Sequence, residues 1–86
     1  MNNRLIGEKL IKIAINFDES LAEMLKVEVK RLKRLAKSNN AFETIETFEE
    51  LRKTNNLVRN IILALTITDE RIRIGIDLCT NSDETE

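Results

Sequence analysis

The hydrophobic pattern of the chain changes its period near residue 18. The residues before that point alternate between apolar and polar, as in a β-strand with one buried face; the apolar set is Ile11, Ile13, Ile15 and Phe17. Beyond that point apolar residues recur at helical spacing, at Leu21, Met24, Leu25, Val29 and Leu32. The pattern therefore predicts a strand over residues 9–17 that leads directly into a helix over residues 18–38.

Most of the remaining chain has helical spacing. Residues 41–53 and 57–67 are predicted to form two further helices, and the cluster Thr54-Asn55-Asn56 is predicted to cap the second of them. Residues 68–80 fit an alternating strand or a helix, and the helix is narrowly preferred because a second strand would also need a partner.

The fold prediction is a mainly α single domain over residues 1–86 with one short N-terminal β-strand. Asn39 and Asn40 are predicted to lie in the turn after the first helix. Residues 1–8 are predicted to form a flexible arm and residues 9–67 a core, into which a helix at residues 41–53 is inserted. Residues 68–86 are predicted to form a C-terminal extension with a frayed acidic end.

The predicted strand needs a partner outside its own chain. A lone strand cannot satisfy its backbone hydrogen-bonding groups, and the simplest partner is the same strand of a second copy, antiparallel across a two-fold axis. The outward face of such a ribbon carries Lys12, Ala14 and Asn16, and a ribbon of this size fits the DNA major groove. The alternative is that these three residues form the solvated face of an amphipathic strand.

Each outward residue suits a contact with double-stranded DNA. Asn16 could bond to adenine, Lys12 could reach guanine or a phosphate, and Ala14 could meet a thymine methyl group. Contacts to phosphate are predicted for basic residues and for the helix start at 54–56, where free N–H groups would bind an anion; the set is Arg4, Lys9, Lys53, Thr54, Asn55 and Asn56. At 54–56 the alternative is a cap without a ligand.

The dimer core is predicted from the apolar residues of the strand and of two helices. These residues are Ile13, Ile15, Phe17, Leu21, Leu25, Val58, Ile61, Ile62 and Leu65.

Two stretches together resemble the ribbon-helix-helix family of DNA-binding proteins, which includes the Arc and methionine repressors and the CopG-like plasmid regulators. The stretch from Lys12 to Leu25 resembles the family's strand and first helix, and the stretch from Lys53 to Ile62 resembles the start of its second helix. The resemblance implies a dimer that places an intersubunit ribbon in the major groove. The family usually joins its two helices by a short turn, whereas here a segment of about two helical turns or more intervenes.

Composition narrows the possible functions. The sequence has no His and one cysteine, Cys79, and it contains no Gly-rich phosphate loop, so we expect neither an enzyme, nor a metal site, nor a cofactor. No apolar run approaches the length of a membrane span, and no secretory signal precedes the first charges. We therefore expect a cytoplasmic protein that does not enter membranes.

Charge is unevenly distributed along the chain. Residues 1–40 hold nine Lys or Arg and five Asp or Glu, whereas residues 41–86 hold five and ten, which is the distribution expected of a protein with one DNA-facing end. The basic run at residues 26–37 most simply forms an exposed face that pairs with the acidic helix after it, and the alternative is a second contact to DNA. A protein partner could bind to that run or to the acidic helix at residues 41–53.

The expected function is sequence-specific binding of double-stranded DNA by a homodimer or homotetramer. Such a protein would act as a transcriptional repressor or as a plasmid or phage accessory protein in relaxosome, partition or copy control. The alternative is a small helical protein–protein interaction module of a mobile element, an inhibitor or adaptor without DNA binding.

Overall fold

Two long α-helices make up the chain in its computed structural model, which describes residues 2–38 and 43–85, without the side chains of 82–85. Helix α1 covers Asn3–Lys37 and helix α2 covers Ile45–Thr85. They pack side by side as an antiparallel hairpin with extents of 64 × 15 × 14 Å. Each helix is about three times as long as the average helix of a globular protein.

The predicted N-terminal strand over residues 9–17 is wrong, because these residues lie within α1. No strand occurs in the described residues, so the intersubunit ribbon, the ribbon-helix-helix-like fold and the resemblance to that family are wrong as well. The physical reason is that alternation is ambiguous in a helix with more than one apolar side. Residues two apart point about 200° apart in a helix; accordingly Ile11 is half-buried while Ile13 and Ile15 are exposed.

The predicted boundaries inside the two helices are wrong too. Residues 3–8, predicted as part of a flexible arm, form the first turns of α1, and Asn2 caps them: its side-chain oxygen accepts from the N–H groups of Arg4 and Leu5 at 3.1 and 3.4 Å. Helix α2 runs without interruption through residues 54–56. Its cap is Thr44, whose Oγ1 accepts from the Thr47 N–H at 3.1 Å.

Of the remaining predictions of secondary structure, one is confirmed and others concern residues that the structure does not describe. The narrow preference for a helix at residues 68–80 is confirmed, because these residues belong to α2. Residues 41–42 of the predicted inserted helix and the turn residues Asn39 and Asn40 lie outside the described residues.

The two helices contact each other through a seven-residue repeat. On α1 the inward positions are Gly7, Ala14, Leu21, Glu28 and Leu35, and on α2 they are Thr47, Thr54, Ile61, Thr68 and Gly75; all are buried or half-buried. Small side chains dominate this set, which lets the helix axes approach closely. The apolar core is thin: Ala14 and Ile61 are the buried apolar side chains among the described residues.

The two helices approach each other closely where two glycines meet. A Cβ atom added to Gly7 would lie 2.6 Å from the Gly75 carbonyl oxygen and 2.7 Å from the Cys79 Sγ. Nearby, the Cys79 Sγ donates to the Arg4 carbonyl oxygen at 3.5 Å. This contact fixes the antiparallel register, in which Ala14 lies level with Thr68, and Glu28 with Thr54.

Candidate interaction surface

Large apolar side chains remain exposed along one side of the hairpin. We call the set the apolar side; it comprises Ile6, Ile13, Phe17, Met24 and Val27 of α1 and Leu57, Ile67 and Ile74 of α2. The α1 members are spaced by seven, four, seven and three residues, which places them on one side of that helix. Their stripe is about 32 Å long at the helical rise per residue.

A shallow groove shows that the stripes of the two helices lie on the same side of the hairpin. Met24 and Val27 of α1 line it together with Leu57 of α2, and Ile61 forms part of its floor. Glu23 and Glu28 also line it. Both helices therefore contribute to the apolar side at this groove.

The opposite side of the hairpin is less continuous. Its exposed apolar residues include Ile15 on α1 and Ile62 and Ile76 on α2. On α2, exposed Asn55 and Asp69 alternate with Ile62 and Ile76 at intervals of seven residues, so polar and apolar side chains take turns along this side. The apolar side is therefore the better candidate for contact with another molecule.

Glu28 is a charged residue at an inward position of the helix repeat. Its side chain is 15% exposed, and the Arg31 Nη1 lies 3.8 Å from its Oε2. That distance is too long for a hydrogen bond, and Oε2 is buried without a hydrogen-bond partner. The groove lining therefore holds an acceptor whose hydrogen-bonding capacity is unused.

The basic run found in the sequence forms an exposed surface at the loop end of α1, which we call the basic end. It comprises Lys26, Lys30, Arg31, Lys33, Arg34 and Lys37. The first turns of α2, which lie level with the last turns of α1, are acidic at Glu46, Glu49 and Glu50, and the next charges along α2 are basic, at Arg52 and Lys53. Because the two segments carry opposite charges, their attraction favours the antiparallel packing of the hairpin.

A smaller charge cluster lies near the other end of α2. Arg73 donates to Glu70 through Nε at 3.1 Å and to Asp77 through Nη1 at 2.8 Å. The hydrogen bond from Arg73 lowers the pKa of the Glu70 carboxyl from its usual value. All three side chains are exposed, so solvent screens the attraction.

The residues predicted to read bases do not share a surface. Lys12 and Asn16 are exposed on α1, whereas Ala14 between them is 2% exposed and faces α2. The outward face that these three residues were predicted to form therefore does not exist.

The residues predicted to bind phosphate are divided between distant parts of the hairpin. Arg4 and Lys9 are exposed near the start of α1, whereas Lys53, Asn55 and Asn56 are exposed within α2 and Thr54 is 1% exposed. Because residues 54–56 lie inside a continuous helix, their N–H groups are not the free donors of a helix start.

The residues predicted to form a dimer core divide into two groups. Ile61 is buried, and four others are half-buried along the contact between α1 and α2 of one chain: Leu21, Leu25, Val58 and Leu65. The remaining four are exposed, and Phe17 and Ile13 among them belong to the apolar side. Sequence reasoning missed Ile6, Val27 and Ile74. The available signal was the seven-residue repeat, because Ile6 lies seven residues before Ile13, Val27 lies fourteen after Ile13, and Ile74 lies seven after Ile67.

Other kinds of site are not evident in the described residues. They contain no group of three metal-binding side chains. Neither described helix includes a segment long and apolar enough to cross a membrane. No protein family, curated protein or solved structure matches the chain.

Proposed function

We propose that this chain is a helical protein–protein interaction module that binds other α-helices along its apolar side. The observation that carries this proposal is the alignment of eight exposed large apolar side chains on one side of two packed helices. Single exposed apolar residues are normal on soluble proteins, but contiguous apolar surfaces of this kind usually mark a contact with another molecule.

The shape of the surface indicates what it binds. A groove between two antiparallel helices accepts the apolar face of a further helix, whose side chains pack into the holes between those of the pair. Met24, Val27 and Leu57 line such a groove in this hairpin. The flexible Met24 side chain suits a surface that has to adapt to a partner.

A photo-cross-linking experiment in the native host tests the proposal. A benzophenone side chain replaces Phe17, which is 55% exposed on the apolar side, or Ile15, which is 44% exposed on the opposite side of the hairpin. After illumination we expect a discrete protein adduct from position 17 and little from position 15. Absence of an adduct at position 17, or equal adducts at both positions, would contradict an interaction through this side.

Binding to double-stranded DNA is a second candidate with different support. The predicted ribbon is absent, so the remaining observation is the basic end, where Lys30, Lys33 and Arg34 border a second groove. Phosphate contacts from such a cluster would make affinity fall steeply with salt. Titration of a labelled duplex with wild type and with the double variant Lys30→Glu, Arg34→Glu tests it; equal binding by both proteins would argue against the basic end.

A further inference from the structure

We infer that the occupant of the apolar side is a second copy of this chain, and that α1 of each subunit packs against α2 of the partner subunit. The product is a four-helix bundle. This inference rests on the proposed function, because it names the partner of the same surface. Three observations support it: exposed area, charge, and the symmetry that the charges require.

The exposed area of one chain is larger than a compact monomer should have. The chain exposes 6668 Å², whereas a compact monomer of the same mass exposes about 5,200 Å². The excess is about 1,500 Å² per chain, and a permanent homodimer commonly buries about 1,000 Å² or more per subunit. Contact with a second copy along the apolar side would therefore bring the exposed area into the usual range.

The charges beside the apolar side distinguish between ways of pairing two copies. Along α1, exposed lysines border it at Lys9, Lys30 and Lys37, interrupted by Glu23. Along α2, exposed acids occupy the corresponding border at Glu49, Glu70 and Asp77, of which the last two also pair with Arg73 of their own helix. Packing α1 against the partner's α2 brings lysines beside carboxylates, whereas packing α1 against the partner's α1 brings lysines together.

The favoured pairing corresponds to one simple symmetry. A two-fold axis parallel to the helices places α1 over the partner's α2 and puts both interhelical loops at the same end. Every helix then has antiparallel neighbours, as in an up-down-up-down bundle. Residues keep the level that they have within one chain, so Lys37 lies level with the acidic start of the partner's α2, and Lys9 lies level with its distal acids. Lys30 lies level with Arg52 and one turn from Glu49.

Sedimentation equilibrium of the purified full chain tests the inference, with circular dichroism on the same samples. We expect a helical species of twice the 9.9 kDa chain mass. Phe17→Asp should weaken self-association at least tenfold. The matched control Ile15→Asp introduces the same charge at an exposed apolar residue on the opposite side of the hairpin and should leave the dimer intact. Phe17 is largely exposed within one chain, so Phe17→Asp should not by itself unfold a monomer. If the variant loses helicity together with the dimer, that result would also support a role of Phe17 between subunits.

Two results would overturn the inference. A wild-type chain that is helical and monomeric over the whole concentration range has no second copy on its apolar side. A dimer that Phe17→Asp leaves intact would place the subunit contact elsewhere. In either case, an adduct between position 17 and a different protein in cells would keep the proposed interaction module and reject only self-association through the apolar side. Without any adduct, both proposals fail.

Discussion

At the scale of single residues, Gly7 and Gly75 determine how closely the helices approach at the end that carries both termini. Neither glycine has a positive φ, so backbone freedom is not the reason for their presence. Space is the reason, because a Cβ at Gly7 would lie 2.6 Å from a carbonyl oxygen of the opposite helix. Backbone atoms at that distance cannot move aside without separating the helices.

Gly7→Ala is therefore expected to destabilise the protein although alanine is the better helix former. Overpacking costs about 1–3 kcal/mol, whereas the gain in helix propensity is about 1 kcal/mol. Gly75→Ala should also destabilise the protein, because its Cβ would lie 2.6 Å from Cγ1 of Ile11, a β-branched side chain that is stiff at χ1, and 3.0 Å from the Gly7 carbonyl oxygen. Urea unfolding measures both. Asn16→Ala is the propensity control, and an equal gain from all three substitutions would contradict the close contact.

Glu28 is the second residue whose surroundings predict a measurable effect. Its Oε2 is buried without a hydrogen-bond partner, and the position lies between Leu21 and Leu35 in the inward repeat. Glu28→Leu should raise the free energy of unfolding by about 1 kcal/mol or more, because it removes an unsatisfied acceptor and adds apolar contact. The exposed Glu19→Leu control should change little. A loss of stability in Glu28→Leu would show that the carboxylate has a partner in solution.

At the scale of secondary-structure elements, the cluster of Glu70, Arg73 and Asp77 gives α2 a pH dependence. The Arg73 hydrogen bond lowers the pKa of Glu70, so its stabilising effect is fully present above the ordinary glutamate pKa. The effect is lost as the pH falls through that range and then through the lowered value. Acidification should therefore reduce the thermal stability of wild type more than that of Arg73→Gln. Arg59→Gln, which keeps the cluster, should behave as wild type.

Helix could be predicted from the sequence for much of the chain, but the strand predicted over residues 9–17 could not be rejected. Two segments alternate, residues 11–17 and 72–78, and both are helical. In the seven-residue repeat, Ile11 and Ile72 both face the opposite helix, while Ile13 and Ile74 both belong to the apolar side. Two separate apolar sides on one helix produce the period of a strand, and no local residue distinguishes the cases.

Some residues of the candidate surface could be anticipated from the sequence, but the direction of their side chains could not. Phe17 and Ile13 were singled out as apolar residues of a strand face, whereas they lie exposed on the apolar side of α1. Lys12 and Asn16 were correctly expected to be exposed, whereas Ala14 packs against α2. What the sequence lacked was the direction of each side chain, because direction depends on the element and the element depends on tertiary packing.

At the scale of the whole molecule, the thin contact between α1 and α2 links stability to association. Few buried apolar side chains hold two helices that together span most of the chain, and long helices gain most of their stability from tertiary packing. If the second copy supplies that packing, the melting temperature rises with protein concentration by mass action. Circular dichroism melts over a hundredfold dilution should show this for wild type and not for Phe17→Asp; concentration-independent melting of wild type would contradict it.

The arrangement of the two subunits has its own consequence, which single-cysteine chains can reveal. In a Cys79→Ala background, Ile13→Cys and Ile67→Cys place thiols at nearly the same level on the apolar side of α1 and α2 respectively. With α1 packed against the partner's α2, mild oxidation of a mixture of both chains should give a disulfide-linked dimer on a non-reducing gel. Each chain oxidised separately should give little, because like helices lie diagonally across the bundle. Efficient cross-linking of the Ile13→Cys chain with itself would instead require α1 to face the partner's α1, and would show that the bordering charges do not determine the pairing.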